Sequence, residues 1–156
     1  LCAAPGMDGS EYRRLVAGSF LVSCDNAHAV HPNHGEFADR NHTARMNGGV
    51  VIKYNANQRY TSDAVSAGIF RRICESAGVP VQHYANRADM PGGSTLGNIS
   101  NTQVSLNAVD IGLAQLAMHS PFETAGAADT ASLVKALTAF FEHSLVAERD
   151  GVYRFL

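Results

Sequence analysis

The sequence predicts an α/β fold, a largely parallel or mixed sheet flanked by helices, because short apolar runs alternate with stretches of helical periodicity and Gly, Asn and Pro clusters separate them. At 156 residues with 46% apolar side chains, the chain has the size of one domain and enough apolar surface to fill its core.

Taken in order, Glu11 to Gly18 reads as a short helix, and Phe20-Leu21-Val22-Ser23-Cys24 as a buried strand that delivers Asp25 at its carboxy end. In open α/β sheets ligands gather at the carboxy ends of strands, so a carboxylate there is well placed for chemistry. His31 to Asn47 is polar and turn-rich, a long loop of the kind that often carries function. After Asn47-Gly48-Gly49 comes the apolar run Val50-Val51-Ile52-Lys53-Tyr54. Ser62 or Asp63 then caps a helix with Val65, Ile69, Phe70 and Ile73 on its apolar face, stopping at Gly78 with Pro80 beyond. Val81–Ala85 is a strand, and Gly92 to Gly97 is a glycine-rich turn opening a short helix. Asn107–Gly112 is a further strand leading to Leu116-Ala117-Met118-His119. Asp129 or Thr130 caps a closing helix with Leu133, Leu137, Phe140 and Phe141 on one face.

The net charge of −2, with Lys and Arg scattered, gives no basic field for nucleic acid or an anionic membrane. No apolar run approaches the ~20 residues of a membrane span, and the opening residues lack the pattern of a signal peptide. Cys2, Cys24 and Cys74 are odd in number and show no CxxC spacing, which argues for reduced thiols and a cytoplasmic protein. The chain begins on Leu1 rather than methionine, so a processed or partial chain is expected.

Asp25-Asn26-Ala27-His28-Ala29-Val30-His31-Pro32-Asn33 concentrates zinc-ligand residue types, although the same residues suit a solvated loop. His119, beside Met118, reads as a ligand or, in the commoner case, as a satisfied core histidine. Lys53 ends an apolar strand, where a lysine either extends to solvent or awaits an anion. The turn from Gly92 to Gly97 suits a close strand-to-helix connection or an anion cradle, without the lysine of a P-loop. No G-x-S-x-G elbow is present, and no cysteine has the histidine pattern of a thiol protease.

Ser23 to Asn33, Val51-Ile52-Lys53, Asn57-Gln58-Arg59-Tyr60, Gly93-Ser94-Thr95-Leu96-Gly97 and Gln115 to Ser120 together resemble successive signatures of the aspartyl aminopeptidases, two-zinc metallo-aminopeptidases. The resemblance runs from about Phe20 to Phe141 and implies that residues 1–156 are the carboxy-terminal portion of a zinc-peptidase-like catalytic domain. It implies that Asp25 and His119 are metal ligands in one two-zinc centre, that His28, Lys53 and Tyr60 contact substrate, and that His31 has a structural or interface role. Zinc is the implied metal, although cobalt or manganese occupies similar sites. Paired zinc ions lower the pKa of a bound water and polarise a peptide carbonyl.

The implied activity is removal of amino-terminal Asp and Glu residues from peptides by a homo-oligomer, a dodecamer in the full-length protein. The general base implied by the resemblance belongs to a glutamate pair upstream, with a histidine ligand and a bridging aspartate. Here Glu11, Glu36, Glu75, Glu123, Glu142 and Glu148 are never adjacent, so the isolated chain is expected to be inactive. The rival reading is a non-catalytic fragment or assembly module.

Overall fold

The computed structural model describes residues 6–149 and 151–156, which leaves Cys2 outside the described residues. The elements are α1 (Gly9–Ala17), β1 (Phe20–Cys24), β2 (Ala27–His28), a single 3-10 turn (Gly35–Phe37), β3 (Val50–Tyr54), α2 (Ala64–Ser76), β4 (Val81–Ala85), α3 (Leu96–Gln103), β5 (Asn107–Gly112), β6 (Ala114–Leu116), β7 (Thr124–Ala125), α4 (Ala127–Glu142), β8 (Leu145–Arg149) and β9 (Val152–Phe155).

The main sheet has the order β1-β5-β3-β4, with β1 parallel to β5 and β3 parallel to β4. Its centre is antiparallel: Val51 lies opposite Gly112 and Ile52 opposite Ile111 across β3 and β5. The architecture is thus α/β with a mixed sheet. A three-stranded sheet, β2-β6-β7, continues from the carboxy ends of β1 and β5, and β8 and β9 form a closing hairpin.

Strand alternation divides the main sheet into two chemically different faces. Val50 and Ile52 of β3, with Val109 and Ile111 of β5, join Ile69, Phe70, Ile73 and Cys74 of α2 and Ala136 and Ala139 of α4 in the principal core. The residues between them, Val51, Lys53, Ala108 and Asp110, are also buried, but beneath the loops, β2 and α3. Fully burying a valine or isoleucine is worth about 1.5–3 kcal/mol, so the first face secures the sheet and leaves the second to accommodate polar groups.

Local signals place most boundaries. Asp63 caps α2 in a reciprocal capping box with Ser66, and Gly78, at φ +64°, ends it in the left-handed region. Asp8 and Glu11 form a capping box on α1, which therefore begins at Gly9 rather than Glu11. Three expectations are corrected. The N-cap of α4 is Gly126, whereas Asp129 lies inside the first turn and is fully buried. Its carboxylate accepts the Asn47 N–H (2.6 Å) and the Gly49 N–H (2.8 Å), satisfying the loop before β3 instead of the helix. Val65 is 39% exposed and Phe141 80% exposed, so the apolar stripes of α2 and α4 are narrower than their periodicity suggests.

Candidate active site

β1 ends at Cys24, and the chain then folds over the carboxy end of β5, with the Asp25 N–H donating to the Ile111 carbonyl (2.9 Å). The approach leaves no room for a side chain at Gly112: a Cβ there would stand 1.8 Å from the Asp25 carbonyl oxygen. Asn26 is held by its amide to Gln115 Oε1 (2.6 Å) and by the Leu113 N–H to its own Oδ1 (3.2 Å). The Asp25 side chain is 61% exposed.

Lys53 enters from the polar face of β3 and is 1% exposed. Its Nζ donates to the Asn26 carbonyl (3.3 Å), lies 3.9 Å from Asp25 Oδ2, and stands 5.0 Å above the Tyr60 ring. Burial pulls the ammonium pKa below its ordinary value, and the charges of Asp25, Asp110 and Cys24 oppose that pull. One hydrogen bond leaves the ammonium with unused donor capacity. Of the two readings of Lys53, solvent extension is removed by this burial. Tyr60 is buried beside Tyr84, and its hydroxyl pKa is raised, first by burial and then by Asp110 and Asp25.

His28 ends β2 opposite Gln115 of β6 and is exposed. Its imidazole pKa is lowered by partial desolvation first, then by the charges of His119 and Lys53. His119 follows β6 on a turn in which Ala117 and His119 adopt φ +54° and φ +66°. Left-handed backbone costs a non-glycine residue roughly 1–2 kcal/mol, so other contacts must hold the turn. The His119 N–H donates to Glu123 Oε1 (2.6 Å), Ser120 N–H to the Ala117 carbonyl (3.0 Å), and β7 closes beside β6. The histidine is exposed. Asp25 therefore follows the main sheet directly, whereas His119 is delivered by the adjoining small sheet.

His31 accepts the Asn33 N–H at Nδ1 (3.2 Å) and stacks on His34, with centroids 5.1 Å apart. It shares a cavity of about 290 Å³ with His28, Phe37, Asn86 and Arg87. The glycine-rich turn faces Asp25 across a second cleft, lined also by Ser23, Cys24, Ser94 and Thr95. Close packing accounts for Gly97, where a Cβ would lie 2.8 Å from the Ser23 Cβ and 2.9 Å from Asp110 Oδ1.

The carboxylate of Asp25 and the imidazole of His119 are donors that zinc accepts. Among the described residues, no group of three or more His, Cys, Asp or Glu side chains is arranged to hold a metal ion. The donor set fits zinc in kind and is incomplete in number. Sequence reasoning missed Asp110, fully buried on β5, together with Thr61 and Ser62, which bind it. The available signal was a lone carboxylate inside the apolar strand Asn107–Gly112, the counterpart of Lys53 in β3.

Residues 2–141 match the family described as aminopeptidase I zinc metalloprotease (M18). A protein named probable M18 family aminopeptidase 2, from Pseudomonas paraeruginosa, is 50% identical over 137 residues, covering 88% of this chain and 32% of that protein. A protein of the same name from Azotobacter vinelandii is 48% identical over 139 residues, covering 89% of this chain and 32% of its own length. The chain thus spans about a third of the length of the curated relatives it matches. Among solved structures, a cryo-EM structure of the Ape4 and Nbr1 complex superposes with a TM-score of 0.85 at 36% identity, covering 88% of this chain and 26% of the other. The S. cerevisiae mApe1 dodecamer gives a TM-score of 0.75 at 27% identity, over 84% of this chain and 28% of its own. With the match extending over nearly all of its residues, the chain belongs to the M18 family of aminopeptidase I zinc metalloproteases.

Proposed function

We propose that this chain forms part of a zinc-dependent aminopeptidase that removes amino-terminal Asp and Glu residues from peptides. Asp25 and His119 each supply one protein donor to a two-zinc centre, and the remaining ligands and the general-base glutamate come from outside the described residues. Bound there, zinc supplies a water of lowered pKa and polarises the scissile carbonyl. Glu123 is occupied with the His119 backbone N–H and shapes the turn rather than moving a proton.

The observation that carries the acidic preference is the buried Lys53 ammonium, which has one hydrogen bond and lies beside Asp25. The side-chain carboxylate of an incoming Asp or Glu would give the ammonium a charged acceptor beside the single Asn26 carbonyl it now uses. Tyr60 holds the ammonium in place from its ring face, and His28 contacts the same substrate in this reading. The whole protein is a homo-oligomer in this reading, supported by the solved dodecamer of a family member. A cytoplasmic location is supported by the free thiols of Cys24 and Cys74.

The test is Lys53→Met in the full-length protein. A charge-assisted bond of about 1.5–3 kcal/mol corresponds to roughly 10- to 150-fold, so kcat/KM on Asp and Glu peptides should fall by that factor more than on Ala or Leu peptides. An equal loss on all four assigns Lys53 to structure alone and removes the acidic specificity.

A further inference from the structure

Asp110 is fully buried in the central strand β5, where a carboxylate needs compensation for the water it has lost. Oδ2 accepts both the Thr61 N–H (2.6 Å) and the Thr61 hydroxyl (3.0 Å). Ser62 reinforces the attachment from the backbone side, its hydroxyl accepting the Asp110 N–H (2.9 Å) and donating to the Asp110 carbonyl (3.3 Å). The other carboxylate oxygen, Oδ1, has no hydrogen-bond partner and points toward Gly97 in the first turn of α3, where the helix N-terminus favours negative charge.

Asp110 is thus the anchor for the segment that leaves β3 and enters α2. Residue 60 of that segment is the tyrosine whose ring covers Lys53, and Thr61 is the next residue along the chain. The antiparallel register of β3 and β5, continued by one residue, brings Lys53 level with Asp110 on the same sheet face. A purely structural tie between loop and strand would serve equally well with neutral partners. A buried carboxylate on this face also sets a negative field at Lys53 and Tyr60.

We infer that Asp110 is a positioning residue for the substrate pocket, its carboxylate fixing Tyr60 against Lys53 through the two bonds to Thr61. The inference rests on the reading of Lys53 and Tyr60 as substrate-binding residues. It assigns Asp110 no contact with substrate and no part in proton transfer.

The experiment is a double-mutant cycle in the full-length, zinc-loaded protein, combining Asp110→Asn with Tyr60→Leu and measured on the best aminoacyl substrate. The asparagine weakens both bonds to Thr61, because it removes the charge that strengthens them and presents two N–H donors with its one oxygen where the carboxylate presents only acceptors. Asp110→Asn alone should raise KM about tenfold while changing kcat by less than about twofold, the signature of lost binding rather than lost chemistry. With Tyr60→Leu already present, the same change should add less than about twofold, because residues acting through one contact are not additive. Thr61→Val removes one of the two bonds to Oδ2 and should show a smaller KM effect with the same dependence on Tyr60. It carries the test if Asp110→Asn does not fold. Additive effects, or losses in kcat that follow the melting temperature, overturn the inference while an active wild type preserves the aminopeptidase reading. A wild-type protein without aminopeptidase activity overturns both.

Discussion

Lys53 and Cys74 are both fully enclosed, yet their surroundings give them opposite uses. The ammonium has Asn26, Asp25 and the Tyr60 ring around it and retains donors for a further acceptor. The Cys74 thiol, on α2, lies in the apolar core, where burial first and then the nearby Glu75 charge push its pKa up to about 12. Desolvation raises the Cys24 thiol pKa as well, so the contrast is one of access: at pH 8 iodoacetamide should modify the exposed Cys24 and spare Cys74 until the protein is unfolded, as read by peptide mass spectrometry. Labelling of Cys74 at the Cys24 rate in native protein would contradict its enclosure. The sign of the pH dependence follows from the same shift. Because the folded Cys74 thiol holds its proton above the ordinary thiol value of 9.0, its contribution to stability is intact below pH 9 and is lost as pH rises toward about 12.

At the scale of elements, the turn before β3 shows how backbone geometry selects residues. Gly49 has φ +95°, and a Cβ there would stand 2.1 Å from the Pro80 carbonyl oxygen, while its N–H is held by Asp129. Gly49→Ala should destabilise the protein by about 2–5 kcal/mol, combining left-handed strain with overpacking against rigid backbone, and a thermal melt of the full-length protein checks this. A change below ~1 kcal/mol would mean that the turn relaxes freely. The Asn47-Gly48-Gly49 signal was legible in the sequence, as were the bounds of β1, β3, β4 and β5, because apolar runs and turn residues are local features. The antiparallel pairing of β3 with β5 and the β8–β9 hairpin were not, since strand order is decided by contacts between distant segments. The same division holds at the candidate site. Lys53 stood out as a charge at the end of an apolar strand, and Asp25 and His119 through their motifs, whereas the roles of Asp110 and Asp129 emerge only once Thr61, Asn47 and Gly49 are brought to them.

For the molecule as a whole, the decisive quantity is the number of metal donors the chain can assemble by itself. In the proposed centre Asp25 and His119 are the two donors this chain supplies, and among the described residues no group of three or more His, Cys, Asp or Glu side chains is arranged to hold a metal ion. A catalytic zinc ion normally takes three protein ligands and keeps a position for water, so two donors shared between two ions leave both under-coordinated. General acid–base assistance contributes typically about 10²–10⁴ in rate, and no pair of adjacent glutamates exists in the chain to supply it. The chain purified by itself should consequently bind zinc weakly and release no measurable product from Asp- or Glu-aminoacyl fluorogenic peptides at any zinc concentration. The assay runs beside an Asp25→Ala control and the full-length protein, with zinc binding followed by calorimetry. Zinc-dependent turnover by the isolated chain that disappears in the control would show that 156 residues contain a complete centre. In that case the division of ligands between this segment and the remaining two thirds of its relatives' length would have to be given up.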